Sequence, residues 1–589
     1  MPHNGPSPPA SVDHVWANAR VLLPGGRAAT ACQLGGDQLG PHLAGLAGLA
    51  VVVGPGTRPG TGWSAVAASA GRAPFPGSSF DLVAVEDLGA TGRPAAEVVE
   101  EARRLCRPGG SIVVGFRAGL HRLRSPAPAP GGPGTVLVAL PSPRRPAFLL
   151  RAGDREVARY FVRHIAFAYR PPGRARPWAR LRQAQTRAAL AAPPAVAVRG
   201  APGRLAVLPG PAAPASLLEG VGELVRDRWS DLGLPGPPPP RLAPLVVGHR
   251  RPTTGMAIVL LFRDGDRTPS VVAKLPRYGT TSPSLRREAG TLEAVRGSLH
   301  GPVRDAVPRS LGLHRVDGTE VLLQTGSPGR HLVAETARTR PRPGAFGRQL
   351  DLVLAWCLAM QRTSGRPETV DDALIAGTLE APAAACLAAL GGDPAVGRLL
   401  DRALDRARTM RGTPLPLVTC HGDFWAGNVL VERGRVCGVV DWERGALGGL
   451  PFWDLVKAVG SAAYHLDRYR SVPRRGPAAL PGWGDLGPWR GVAEPQFAAG
   501  FRAAFVQPCW LADLCREALV TTFRRTGVPL GWLPTAIIMY LVRQVLQATD
   551  SPRSVAGWGS VLRALAFSPA TWADQFGDRR TFITKESRG

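Results

Sequence analysis

Lysine is almost absent from this 589-residue chain: Lys274, Lys457 and Lys585 are the three, and arginine supplies the other 69 basic side chains. With 71 Gly, 59 Pro and abundant Ala, that bias fits a GC-rich coding sequence better than selection for nucleic acid. A lysine that persists in such a chain marks a position to question. Cysteine is sparse too, eight residues with no C-x-x-C pair and no His/Cys cluster at zinc spacing, which excludes a disulfide-stapled scaffold and a structural zinc site. No uninterrupted apolar run reaches the roughly 18–20 residues that span a bilayer, and Met1-Pro2-His3-Asn4-Gly5-Pro6 lacks a charged-then-apolar leader. A cytoplasmic protein is expected. Despite a net charge of +28, no aromatic-interleaved basic strand, zinc finger or helix-turn-helix pattern is present, so no nucleic-acid partner is expected.

What is present is enough apolar material, 44% of residues, for several cores, and the length suits three or four domains at roughly 100–200 residues each. Residues 1–43, rich in Gly, Pro and Ala, read as a loose arm. Leu46–Gly60 reads as an apolar strand entering a glycine turn. Phe80–Phe116 reads as strand, loop, helix, Pro-Gly-Gly turn and strand. This second stretch resembles the later half of a class I methyltransferase core. The resemblance implies that Gly54 and Gly56 belong to the loop that approaches S-adenosylmethionine. Only 23 residues separate Gly56 from Phe80, too few for the remaining elements, so residues 44–150 are read as a degenerate α/β Rossmann-like domain.

Residues 144–187 hold 12 arginines and two acids, Asp154 and Glu156. Within them Arg155, Arg159 and Arg163 fall on one helical face, with Val157, Tyr160, Phe161, Ile165 and Phe167 supplying an apolar side. That pattern fits either a solvated surface helix or docking to an acidic membrane surface, which would make the protein peripheral at the inner face of the membrane. Residues 151–240 read as a basic, Pro-rich connector ending in the stiff LPGPPPPRL at Leu234–Leu242.

Three strands are expected next, in APLVVGHRR, GMAIVLLFRD and PSVVAKLPR, forming a small antiparallel sheet. The third carries Lys274, and fourteen residues later Glu288 lies on a helix with Leu285, Ala289, Leu292 and Val295 on its apolar side. A strand lysine that meets a nucleotide's α/β-phosphates needs such a carboxylate to hold it. The densest chemistry is in LVTCHGDFWAGNVLVERGRVCGVVDWE, Leu417–Glu443: His421-Gly422-Asp423, then Asn428, then strands Val429–Glu432 and Val436–Val440 around Arg433-Gly434, then Asp441. A hairpin puts Asn428 and Asp441 at the same end of its strands, so an amide oxygen and a carboxylate can converge on one hard cation.

Leu242 to about Ala573 is similar to the aminoglycoside phosphotransferase and choline kinase-like family, which shares the two-lobed protein-kinase-like fold. The resemblance implies an α+β architecture: a lobe over 241–328 built on a small antiparallel sheet, a mostly helical lobe with the catalytic loop over 329–575, and a tail at 576–589. It implies Asp423 as catalytic base, Asn428 and Asp441 as ligands of Mg²⁺, Lys274 on the α/β-phosphates of ATP and Glu288 as its partner. His421 would support the loop, and Asp454 in Pro451-Phe452-Trp453-Asp454-Leu455 would be structural. Residues Leu323 to Thr325 of the hinge strand would present backbone to adenine. No G-x-G-x-x-G precedes Lys274; the turn Gly248–Gly255 offers Thr253, Thr254 or backbone amides to cover the phosphates. Trp425 either stacks on a sugar or packs. The acceptor implied is a hydroxyl of a small metabolite or saccharide. Two other readings stand beside it: a catalytically silent kinase-fold adaptor docking to membrane or a polysaccharide-biosynthesis assembly, and a bifunctional methyltransferase–kinase.

Overall fold

The computed structural model describes all residues except 1–14, 36–38, 61, 117–134, 143–144, 152, 166–202, 210–213, 249–254, 337–342, 470–479, 481–494, 549–550, 568–570 and 577–589. The chain divides into two compact units, the first comprising 1–169, 176–289 and 310–326, the second 170–175, 290–309 and 327–589.

Among the described residues, the first unit is organised on a sheet of 13 strands. Its parallel part contains β1 (Ala28–Leu34), β2 (Ala47–Val53), β3 (Ser64–Val66), β4 (Phe80–Val85) and β5 (Cys106–Phe116), in the order β3-β2-β1-β4-β5. This is the Rossmann-like order, with the direction of winding reversing between β1 and β4. One expectation is corrected here. The strand expected in Leu46–Gly60 is present as β2, fed by the helix Gly40–Leu46, but the stretch 1–43 is not a loose arm throughout, because Ala28–Leu34 within it forms β1. Gly54 and Gly56 therefore follow the second strand, not the first. AATACQL escaped notice because small and polar residues dominate it, yet Ala31, Cys32 and Leu34 are fully buried between two parallel neighbours.

The sheet continues antiparallel through β8 (Gly203–Pro209), β6 (Thr135–Ser142) and β7 (Arg145–Arg151). It then crosses into β9 (Leu242–Gly248), β10 (Met256–Arg263), β11 (Val271–Pro276), β13 (Thr319–Thr325) and β12 (Ser310–Val316). The seam is the antiparallel pair β7–β9, with Phe148 opposite Val247, Leu149 opposite Val246 and Leu150 opposite Leu245. Both faces of the seam are buried. Ala243 and Leu245 pack with Phe148, Leu150 and Phe262, whereas Leu242 and Val246 join Leu149, Val259 and Leu261.

The basic segment begins as a helix, Arg155–Tyr160, prolonged by a wider turn through Ile165. Val157, Tyr160, Phe161 and Ile165 are buried against the seam, with Phe161 edge-on to Phe148 and Tyr160 edge-on to Phe262. Its apolar side is thus committed to the core of the unit. Phe167 and the arginines from Arg170 to Arg187 lie outside the described residues.

The second unit is mostly helical. Long helices Pro343–Ser364, Pro394–Arg408, Phe452–Tyr469, Trp510–Thr526, Leu533–Gln547 and Pro552–Ala566 enclose one apolar core. The helix Leu533–Gln547 is its axis, with Ala536, Ile537, Met539, Leu541, Val542 and Val545 all buried. On this core sit the hairpin β16 (Val429–Glu432) and β17 (Arg435–Val439), with β14 (Arg330–His331) at its edge, and the pair β15 (Val418–Cys420) and β18 (Ala446–Gly449). Among the described residues one helical stretch, Asp372–Ala389, is long and apolar enough to cross a bilayer. Its Ile375, Leu379, Ala383 and Cys386 lie in the core.

Removing residues 1–240 would leave β9 with an open edge and bare Leu245 and Val246, since an unpaired apolar strand is a template for association. A chain beginning at 241 should aggregate or unfold without cooperativity, read by light scattering and urea titration of tryptophan fluorescence. A monomer with a cooperative transition would contradict the seam.

Candidate active site

In the first unit, Lys274 points from β11 at the helix Pro283–Ser298. Its Nζ lies 2.7 Å and 2.8 Å from the two carboxylate oxygens of Glu288. Both side chains are buried, and Gln324 Nε2 of β13 donates to Glu288 Oε1 at 2.9 Å. The strand sets this up: Lys274 pairs with Ile258 on one side and Leu322 on the other, so its position along β11 is fixed twice. The helix is fixed as well. Glu320 of β13 accepts from the Ser282 amide at 3.1 Å and binds Arg286, and those groups hold its carboxyl below the ordinary range against the opposing effect of burial.

Leu323 is enclosed by ladder partners on both sides, Ala273 and Gly312, while Thr325 pairs with Val271 beyond the last partner on β12, Ser310 opposite Gln324. Of the two residues expected near a nucleotide base, Thr325 therefore stands at the end of the ladder. Thr253 and Thr254 lie outside the described residues.

In the second unit, β15 delivers the chain into His421-Gly422-Asp423, and a buried carboxylate holds this loop. Asp454, at the start of the helix Phe452–Tyr469, accepts the His421 amide at 2.6 Å and the Gly422 amide at 3.0 Å. Burial pushes the Asp454 carboxyl above the usual range, opposed by His421, Arg543 and the two amides. Gly422 has φ +78, and a Cβ there would collide with the Arg444 carbonyl, so the position requires glycine. His421 Nδ1 accepts the Asp423 amide at 3.2 Å, which assigns the ring proton to Nε2, 2.9 Å from the Val440 carbonyl. The imidazole, fully buried against Trp442 and Phe424, thus ties the loop to the residue before Asp441.

Asn428 Nδ2 donates to the Asp423 carbonyl at 3.0 Å, which leaves Oδ1 as the amide's donor atom toward a cation. The Val440 amide donates to the Asn428 carbonyl at 2.9 Å, so the hairpin brings Asn428 and Asp441 to one end as its register requires. Asp441 has φ +73, in the left-handed region that only Gly, Asn and Asp tolerate well.

Two further elements reach the loop that sequence reasoning left unassigned. Lys457, on the helix Phe452–Tyr469, lies with its Nζ 2.8 Å from Asp423 Oδ1 and 2.7 Å from Gln544 Oε1. Gln544 Nε2 reaches Gln547 Oε1 at 3.3 Å, and Gln547 Nε2 donates to the Gly422 carbonyl at 2.8 Å. Lysine, Asp423, Gly422 and two glutamines form a polar circuit between two helices and the loop. The scarcity of lysine was a signal for Lys457; no local pattern marks the glutamines. Trp425 lies half-buried in the loop, and Gly427 leaves room for its ring, because a Cβ there would strike the indole.

Residues 259–489 match the model of the phosphotransferase enzyme family. No curated protein matches the chain. Among solved structures, it is similar to a thermostable mutant of aminoglycoside phosphotransferase APH(4)-Ia in a ternary complex with ADP and hygromycin B. Identity is 12%, covering 59% of this chain and 98% of that one, with a TM-score of 0.35. Macrolide 2'-phosphotransferase MphH from Brachybacterium faecium is 16% identical over 57% of this chain and 96% of its own, TM-score 0.27. A protein described as a methyltransferase from Bacillus halodurans is 17% identical over 18% of this chain and 51% of its own, TM-score 0.16. The kinase-like description of the present chain stands on its own strands and side chains.

Glu288→Leu removes the carboxylate partner of the buried Lys274 ammonium, and breaking such a pair by removing one partner costs about 3–5 kcal/mol. The urea midpoint should fall markedly, whereas Lys274→Met with Glu288→Leu should recover part of the loss; an unchanged midpoint in the single variant would refute the buried pair. Lys457→Met should cost roughly 1–3 kcal/mol, because it leaves Asp423 and Gln544 without their shared donor. Lys457→Arg should recover less than half of that, since a forked guanidinium does not fit a point contact, and denaturant titration of both variants checks it.

Proposed function

We propose that this chain is an ATP- and Mg²⁺-dependent phosphotransferase that moves the γ-phosphate to a hydroxyl of a small metabolite or saccharide. The observation that carries the reading is the Asp423 loop: a carboxylate held in place by a lysine, on a backbone pinned by Asp454, five residues before an asparagine whose amide nitrogen is occupied and whose oxygen remains available. Phosphoryl transfer asks the protein chiefly to position groups and neutralise charge, and this loop is built for positioning.

In the proposed step Asp423 accepts the proton of the acceptor hydroxyl while the oxygen attacks the γ-phosphorus. The bond from that phosphorus to the β–γ bridging oxygen breaks, releasing ADP. Lys274, oriented by Glu288, neutralises charge on the α- and β-phosphates. Asn428 Oδ1 and the Asp441 carboxylate would hold Mg²⁺, a donor set that suits a cation usually bound through one or two protein oxygens plus phosphates and water. Mg²⁺ there would supply neutralisation of the phosphate oxygens. His421, with both ring nitrogens engaged, supports the loop and moves no proton.

The acceptor follows from charge. Residues 241–589 carry 45 basic and 30 acidic side chains, and Lys457 sits against Asp423, so a polycationic acceptor would meet repulsion at the carboxylate it needs. A neutral or anionic hydroxyl compound is the better fit. A cytoplasmic setting fits this reading, since ATP is supplied there and thiols stay reduced, and all eight cysteines are free.

Transfer of radiolabelled γ-phosphate to a panel of sugars, amino sugars, choline and short polyols tests the reading. Asp423→Ala should lower transfer at least about 10²-fold, the scale of a positioned general base, while ATP affinity stays within about twofold. Equal, modest losses in both quantities would count against Asp423 as the base.

A further inference from the structure

The described residues of the parallel-sheet module, 15–234, leave little trace of a ligand site. Gln33, fully buried at the end of β1, donates to the Gly35 carbonyl and to Glu86 just beyond β4, and its oxygen accepts the Leu39 amide. That side chain spans the point between β1 and β4 where an open α/β sheet would receive a ligand. The end of β2 reads Val53-Gly54-Pro55-Gly56, with no carboxylate for a ribose.

The module's other end is closely built into β11, which carries Lys274, and its neighbour β13. Arg20, in the turn Val15–Leu22, is 2% exposed and spends its guanidinium on three acceptors. Its Nε donates to the Gly26 carbonyl at 2.9 Å and one terminal nitrogen to the Pro276 carbonyl at 2.6 Å. The other donates to Thr319 Oγ1 at 3.1 Å. Pro276 is two residues beyond Lys274 on β11. Thr319 opens β13 immediately before Glu320, whose carboxylate anchors the start of the Glu288 helix. Two residues earlier in the same segment, Asn18 lies against Gly248 at the end of β9, where any Cβ would collide with it. Burial pushes the Arg20 guanidinium down to about 10, with Arg27 adding repulsion, so the group remains charged at neutral pH in a costly site.

We propose that the N-terminal parallel sheet is a fixed wall of the nucleotide-binding lobe, and that Arg20 is a positioning residue: it clamps the ends of β11 and β13 and thereby sets Lys274 and Glu288 for phosphate binding. The proposal rests on the nucleotide reading of Lys274. Continuity of the sheet through β7–β9 supplies the rigidity, and Arg20 transmits it to the strand ends.

The test uses the full chain with Arg20→Ala, Arg20→Lys and Thr319→Val. Amide hydrogen exchange without ligand reads the clamp directly, and MgATP titration reads its consequence. For Arg20→Ala, exchange over residues 271–276 and 319–325 should rise about tenfold while residues 418–441 stay unchanged, and MgATP should bind about tenfold more weakly. Arg20→Lys should recover part of both, and Thr319→Val, which removes one of three contacts, should shift both in the same direction by a smaller factor. If Arg20→Ala does not fold, Thr319→Val decides alone. Unchanged exchange and affinity in whichever folded variant is read, or a rise spread evenly over both units, would overturn the proposal. Failure of the wild type itself to bind MgATP would instead remove the nucleotide reading and with it the functional half of the proposal, leaving the exchange data to judge the clamp.

Discussion

A single buried carboxylate sets the geometry of the His421-Gly422-Asp423 loop. Asp454 has no exposed surface to speak of and its charge is expensive there, yet it accepts two consecutive backbone amides, those of His421 and Gly422. A carboxylate that receives two amides fixes the direction of a short loop more firmly than packing could, because both the position and the tilt of the peptide planes are constrained. His421 then passes that order to Val440, and Asn428 passes it back to Asp423. Asp423 and Asp441, only partly buried, thus lie at the margin of a network whose centre is buried.

The first unit solves a similar problem with a sheet. A short antiparallel sheet is marginal alone, and here β9, which would be its edge, is paired to β7 and covered on both faces. The same continuity makes residues far from the phosphotransferase region part of the surroundings of Lys274. Arg20 is the clearest instance, since its three hydrogen bonds join a turn near the N-terminus to the two strands that frame the Lys274–Glu288 pair.

Much of the site was legible in the sequence because its members lie close together along the chain. His421, Asp423, Asn428 and Asp441 occupy one loop and one hairpin, so spacing alone predicts their grouping, and Lys274 and Glu288 sit on a consecutive strand and helix. Lys457, Gln544 and Gln547 were not legible in that way. Gln547 meets Gly422 from 125 residues away, and a helix surface carries no mark of which polar residue will face a loop. The parallel sheet was half-read. Phe80–Phe116 has the strong alternation of apolar strand and helix, whereas AATACQL and GRLAVLP form strands because neighbours pair with them on both sides. Tertiary pairing, more than intrinsic preference, decides such segments.

The central claim is a Mg²⁺-dependent nucleotide site that uses Asp441, and thermal denaturation with ATP, with and without Mg²⁺, addresses it most directly when wild type and Asp441→Ala are run in parallel. At a ligand concentration 100 times Kd, binding stabilises a folded protein by about 2.7 kcal/mol. The account predicts a rise in Tm for the wild type that needs Mg²⁺ and is lost in Asp441→Ala. No rise at millimolar ATP, or an equal rise in both proteins, would contradict it.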